Sequence, residues 1–285
     1  ALLFGGRGAE ARATLGEAAD WYGARDQRMR VRWLLALLAE ATLLTGDHAG
    51  ALVLADEARA ADRAHNLADH DADRALAWVQ ACAGGAAPSA AGPLAVANAA
   101  REAGARPFEL LALWDALRLT ASKEARRRIV GLAPSITSPL AVLLGTAAAA
   151  RTGGELDAVA QAFANAGFTQ WAAETARQAA RAHRDDGRRS AAAQADARAH
   201  AWWEACGRPW SPTLAAPVAD GLGELTAREA EVAGLAAGGA TSRAIAEQLG
   251  ISVRTVDNLL GKVYLKLGIG GRDALRAAVH GRTAP

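Results

Sequence analysis

The chain has 285 residues, 51% hydrophobic and 22% charged, with a formal net charge of +2. That length exceeds one average domain and that apolar content is enough for packed cores, so two or more folding units are expected and general disorder is excluded. Alanine dominates, arginine far outnumbers lysine (Lys123, Lys262 and Lys266 alone), and Val, Ile, Tyr and Phe are scarce. This balance favours helices over strands, and an all-α fold is expected.

Cys82 and Cys206 belong to no CxxC pair, which argues against a zinc site or a disulfide framework and fits a reducing, cytoplasmic setting. No signal peptide is visible, and the apolar stretch at 140–150 has only eleven residues, too few to cross a bilayer. No membrane partner, metal or cofactor is expected. The sequence opens at Ala1 already helical in character, as a piece of a longer protein does.

Residues 1–206 repeat one pattern, a Gly- or Asp-containing corner followed by an Ala-rich amphipathic helix. Corners fall at GGRGAEA from Gly5, TGDHAGA from Thr45, GGAAPSA from Gly84, TASKEA from Thr120, TGGELDA from Thr152 and DDGRRSA from Asp185. The spacings are 40, 39, 36, 32 and 33 residues. Periods of this length mark helix hairpins that stack because none can bury its apolar stripe alone. A tetratricopeptide-like helical-hairpin solenoid is expected, serving either as a partner- or ligand-binding surface or as a rigid spacer.

Three features within the repeats invite sharper readings. HNLADHDADR, from His65, groups two histidines with three aspartates, but its spacing crosses a hairpin corner and a solvated turn is favoured over a metal site. The arginines at 126–128 read as a solvated helix face. The eight tryptophans, Trp202 and Trp203 among them, read mostly as core or inter-repeat packing rather than a ligand groove. No nucleophile–base arrangement stands out, and no enzyme activity is expected.

The segment from Cys206 to Glu224 holds three prolines after Arg208 and ends in glycines, which a helix cannot accommodate. It reads as a linker over residues 207–222, separating the repeats (1–206) from a C-terminal unit (223–285). That unit carries eight basic and six acidic residues, so all the net positive charge of the chain resides there.

Thr226 and Glu229 have capping-box spacing and open a helix that ends at Gly238 and Gly239, with Val232, Leu235 and Ala236 on one face. A second helix begins at Thr241 or Ser242, turns Ile245, Ala246 and Leu249 inward and stops at Gly250. A third begins at Ser252 as N-cap. A fourth follows GIGGRDAL and runs to about His280. Ala246 permits close approach, Gly250 takes the turn and Val256 plugs the gap, the steric requirements of a helix-turn-helix. At about 100° per residue, Val256, Leu260, Val263 and Leu267 form the core stripe of the third helix. Opposite lie Arg254, Asn258, Gly261 and Leu265, flanked by Thr255 and Lys262 on one side and Asp257 and Tyr264 on the other. Arg254 and Asn258 have donors for base edges or phosphates, and Gly261 admits the backbone. Asp257 suits a cytosine amino group but repels phosphates. Leu259 is expected to be partly buried and Leu265 outward, beyond the turns that enter a groove.

The lines LTAREAEVAGLAAGGATSRAIAEQLGISVRTVDNLLGKVYLKLG and GRDAL resemble the LuxR-type, or GerE-type, DNA-binding domain over residues 225–280, about a fifth of the chain. The resemblance implies a four-helix domain with residues 252–268 as recognition helix and the helix from Arg272 as a dimer contact. It implies that Arg254, Thr255, Asp257, Asn258, Gly261 and Lys262 face DNA; Thr241, Ser242, Arg243, Ser252 and Lys266 complete the expected DNA-binding set. Leu259 and Leu265 depart from the family, which often has His and a basic residue there, and this removes up to two phosphate contacts. The repeats resemble those of large ATP-binding LuxR-type regulators of actinobacteria. Their GxxxxGK[ST] phosphate loop is absent from this sequence, so the chain is either the C-terminal part of one or a relative without the motor.

The implied function is a bacterial transcriptional regulator. Its partners are duplex DNA, a second copy of the chain on paired half-sites, and a protein or small-molecule effector on the repeats. The alternative is a solenoid adaptor whose degenerate helix-turn-helix serves protein contacts, with Leu259 and Leu265 as anchors.

Overall fold

The computed structural model describes residues 2–24, 28–63, 66–84, 89–215, 225–267, 271, 272 and 275; the side chains at 28, 29, 215, 227 and 265–267 lie outside that description. The chain divides into two compact units, Ala1–Ala215 and Ala216–Pro285, with helices and no strand among the described residues. No helix among them is long and apolar enough to cross a membrane.

The first unit is an array of helical hairpins. Its helices are α1 (Gly8–Gly23), α2 (Arg28–Leu44), α3 (His48–Ala60), α4 (Leu67–Ala83), α5 (Ala91–Glu102), α6 (Arg106–Thr120), α7 (Lys123–Leu132), α8 (Pro139–Ala149), α9 (Gly153–Asn165), α10 (Thr169–Asp185), α11 (Arg189–Ala205) and the single turn α12 (Pro212–Ala215). The corners read from the sequence precede helix starts, and those from Thr45, Thr120 and Thr152 supply side-chain caps. Asp47 accepts from Gly50 N at 2.8 Å, Ser122 from Ala125 N at 3.2 Å, and Thr152 forms a full capping box with Glu155. The shortened period in the middle of the array arises from α7 and α8, of 10 and 11 residues. Pro134 and Pro139 bracket the junction, where proline suits a helix start and disrupts a helix interior.

Alanine sets how closely these helices approach. Ala36, Ala39, Ala51, Ala55, Ala72 and Ala75 are fully buried where α2, α3 and α4 meet. A second apolar cluster, from α5 to α10, is built on Leu113, Trp114, Ile129, Leu144, Phe163 and Trp171. The second helices of successive hairpins stack in file, α2 on α4, α4 on α6 and α6 on α8. Trp78, Trp114 and Trp171 are core residues, as the helical spacing predicts, while Trp21 is 48% exposed.

A file of buried charges crosses this inner layer. Arg74 on α4 donates to Glu40 on α2 at 2.6 Å and to Asp115 on α6 at 2.9 Å. Arg118 on α6 donates to Asp115 at 3.0 Å and, through two nitrogens at 2.8 Å each, to Glu174 on α10. The Arg118 guanidinium lies 4.2 Å from the Trp78 ring and 5.7 Å from that of Trp171. Burial pushes the Glu40 carboxyl above its ordinary range against the pull of Arg74. Burial also opposes the charge on Arg74, but Glu40, Asp115 and Asp71 outweigh it and hold that guanidinium protonated. Cys82 and Cys206 stay as thiols, the second pushed up to about 11, chiefly by burial.

Two expectations for the repeats are corrected here. The stretch from Asn66 to Arg74 is not a solvated turn but the start of α4, capped by Asn66 at 2.8 Å. Its acids face α2: Asp69 and Asp73 accept from Arg32 at 3.0 and 2.6 Å, and Asp71 accepts from the Trp33 indole at 3.0 Å. A helix with acids at this spacing presents them to a neighbour that carries arginine, a pairing no local reading reveals. His65 lies outside the described residues, and no group of acids, histidines and cysteines among them suits a metal. Of the arginines at 126–128, two are structural. Arg126 donates to the Ala148 carbonyl at 2.9 Å, closing the end of α8, and Arg128 donates to Glu109 at 2.7 Å.

The first part of the expected linker also packs. Trp210 N donates to the Leu44 carbonyl at 2.8 Å, Ser211 is fully buried, and α12 touches both α6 and α10. At the other end, Phe4 stands 5.1 Å from Trp171, centroid to centroid, and 5.6 Å from the Arg74 guanidinium. The inner layer is thus covered in part by residues 2–6 and 210–215 of the chain itself.

The second unit comprises α13 (Ala227–Ala237), α14 (Ser242–Leu249) and α15 (Val253–Leu267). The fourth helix expected from about residue 272 to 280 lies largely outside the described residues.

Candidate nucleic-acid interface

Each helix of the second unit is defined by the residues that cap it. Thr226 and Glu229 form the reciprocal pair their spacing predicts, Thr226 N donating to Glu229 Oε2 at 2.8 Å and Glu229 N to Thr226 Oγ1 at 3.3 Å. Gly239 ends α13 at φ 94°. Thr241 caps α14, accepting from Ala244 N at 3.2 Å, and Ser252 caps α15, accepting from Thr255 N at 3.1 Å. Between α14 and α15, Gly250 adopts φ 64° and ψ 35°, the left-handed turn that lets the chain reverse within three residues. Gly250→Ala is expected to lower the stability of this unit by about 1–2 kcal/mol, measured by amide exchange over α14 and α15. An unchanged exchange pattern would mean the turn does not need its glycine.

The core beneath is small and apolar. Val232, Ile245, Val256, Val263 and Leu275 are at most 0% exposed, with Ala246 at 5% and Leu260 at 3%. Leu235 and Leu249, expected inward, are partly buried against it. Leu259 joins them, which explains a leucine on a helix whose outer face is polar. The side chains of Leu265, Lys266 and Leu267 lie outside the description.

With Val256, Leu260 and Val263 turned inward, the opposite side of α15 is open. Arg254, Thr255, Asp257, Asn258 and Lys262 are exposed and Gly261 is partly so. Neither Arg254 nor Lys262 is engaged in an ion pair with a described residue. From Arg254 to Lys262 the rise is about 12 Å, two turns of helix, comparable with the width of a B-DNA major groove. Beside this ridge, Thr241 and Arg243 are exposed at the start of α14, and Arg243 lies 3.3 Å from Glu247. Ser242 is half-buried and Ser252 exposed, each with its hydroxyl bonded within the unit.

Three residues at this face carry roles the sequence reading did not assign. Arg228 on α13 donates to the Leu249 carbonyl at 2.8 Å, satisfying and charge-balancing the end of α14. Arg272 donates to Ser242 Oγ at 2.8 Å and also to the Ala240 carbonyl. Both are long side chains reaching distant backbone, a partnership with no local signature. Val253 is 43% exposed at the first turn of α15, next to Arg254, where the sequence reading looked only for polar groups.

Comparison with known proteins bears on this geometry. Residues 223–278 match the family model of bacterial regulatory proteins of the luxR family, GerE. No curated protein and no solved structure matches the chain. The matched segment contains the two helices, the turn and the exposed ridge described above, and it places the second unit among luxR-family helix-turn-helix domains. The general class this supports is that of DNA-binding transcriptional regulators.

Proposed function

We propose that the luxR-type unit binds duplex DNA by seating the first two turns of α15 in the major groove. The observation that carries this reading is the exposed polar ridge of α15, back to back with its buried Val256, Leu260 and Val263. Arg254 and Asn258 project toward base edges, Asn258 with the amide geometry that pairs with adenine and Arg254 with the fork that pairs with guanine. Thr255, Ser252 and Lys262 meet the backbone, while Gly261 lets it come close. The start of α14 offers its amide groups, Thr241 and Arg243 to a phosphate, as helix N-termini do. Val253 suits a thymine methyl group. Lys266 completes the proposed basic set. The domain division proposed is helical repeats over 1–206, continued by the packed residues 210–215, and the DNA-binding unit over 223–285.

The chain acts on DNA as a homodimer on half-sites about one helical turn apart. The repeats receive a partner or small-molecule signal in the bacterial cytoplasm. The adaptor reading is less favoured, because Leu259, one of its two anchors, is packed against the core of its own unit.

The test is equilibrium binding of the full chain to a random duplex pool over a range of salt concentrations. Steep salt dependence is expected, and Lys262→Ala should weaken binding to every sequence alike while lowering the log–log salt slope by about 1. Undiminished binding and slope in that variant would remove Lys262 from the interface. No retention of any duplex at low salt would sink the reading itself.

A further inference from the structure

The second unit contains a hydrogen-bonded chain that links three separate stretches of sequence. Ser242 Oγ, at the start of α14, lies 2.7 Å from Asp257 Oδ1 on α15 and 2.8 Å from Arg272 Nη2. Arg272 also donates from Nη1 to the Ala240 carbonyl. The direction of these bonds is forced by chemistry. A guanidinium only donates and a carboxylate only accepts, so the serine proton goes to Asp257 and the serine lone pair takes the arginine N–H. Charge assistance at both ends strengthens the pair of bonds beyond that of neutral hydroxyl contacts.

We propose that Arg272, Ser242 and Asp257 form a positioning relay that sets the angle of α15 on α14 and thereby the base preference of Arg254 and Asn258. The proposal rests on the reading of α15 as the groove-entering helix. It changes the role of two residues: Ser242 and Asp257 act through each other rather than by touching DNA.

Three observations support it. First, Asp257 lies on the shoulder of the ridge, about 60° around the helix from Arg254 and 100° from Asn258, on the flank that meets the start of α14. Second, the buried contacts of α15 are with Val256, Leu260 and Val263, whose dispersion forces hold the helix down without a directional preference. A hydrogen bond is directional, and this one joins the groove-entering end of α15 to α14. Third, a free carboxylate beside a DNA backbone is repelled, whereas Asp257 already accepts from Ser242, with the positive charge of Arg272 one hydroxyl away. Arg272 follows Gly271, so the relay also ties the recognition surface to the chain that continues toward the C-terminus.

The experiment uses the full chain, a duplex selected from a random pool and a scrambled duplex of equal length, with the ratio of the two affinities as the readout. Ser242→Ala and Asp257→Ala are each expected to lower that ratio about three- to tenfold, and the double variant no further than the larger single effect, since both remove one shared contact. Ser242→Thr keeps the hydroxyl and should retain the ratio. Loss of folded protein lowers both affinities together and leaves the ratio unmoved, so each variant is first shown to retain wild-type helical circular dichroism, and an unchanged ratio in such a folded variant overturns the relay. So does additivity of the two alanine variants. If Asp257→Ala relaxes the preference at one cytosine while Ser242→Ala does not, Asp257 reads a base directly and the relay is wrong. Wild-type chain that retains no duplex defeats the parent reading instead, a result distinct from all of these.

Discussion

Arg118→Met is expected to reduce the unfolding free energy of the first unit by about 3–5 kcal/mol, the cost of leaving buried carboxylates without their cation. Arg118 is the only bridge from Asp115 on α6 to Glu174 on α10 among the described ion pairs, and its side chain is 6% exposed. Methionine preserves most of the length and the contact with the Trp78 and Trp171 rings, so the loss isolates the charge rather than a cavity. Urea unfolding followed by tryptophan emission reads the effect directly, because both indoles flank the site. Replacing Glu174 by leucine in the same chain should recover part of the loss, since removing both partners spares the uncompensated charge. A single-variant effect below about 1 kcal/mol would show that water reaches the file and screens it, contrary to its burial.

Asn258→Ala is expected to weaken binding to a selected duplex by about 10- to 100-fold, equivalent to about 1–3 kcal/mol, while non-specific affinity stays nearly constant. The asymmetry follows from what the side chain offers. An amide carries no charge and adds nothing to counterion release, but its paired donor and acceptor match an adenine edge. Asn258 is exposed on the ridge, so its removal leaves no hole in the core. The check is a repeat selection with the variant: relaxed preference at one base pair supports the docking, and an unchanged preference with unchanged affinity excludes Asn258 from the interface. Lys262→Ala, with its uniform loss and shallower salt slope, is the complementary control.

The second unit was far more legible than the first. Thr226, Glu229, Thr241, Gly250, Ser252 and Val256 each act within a few residues of their own position, through a cap, a turn or one helix face. Such effects are written in local order, and the helices begin and end where those residues stand. In the repeats, the corners were legible for the same reason. What escaped was everything that depends on a distant partner. Asp69, Asp73 and Arg74 look like a hydrated turn until Arg32, Glu40 and Asp115 are brought beside them. Prolines after Arg208 were read as a break in structure, whereas Trp210 and Ser211 find places against α2 and beneath α12. Asp257 looked like a free carboxylate on a DNA-facing helix, because Ser242 is fifteen residues away in sequence.

Sequence alone determined that this protein is helical, where its hairpins turn, and that residues 223–278 carry a luxR-type helix-turn-helix, because periodicity, caps and steric fit are properties of neighbouring residues. Only the tertiary structure decided which charges are buried and paired, that residues 2–6 and 210–215 cover part of the inner layer, and which polar groups on α15 are exposed. A charge is stabilised or made costly by whatever folding places next to it, and no local pattern specifies that neighbour.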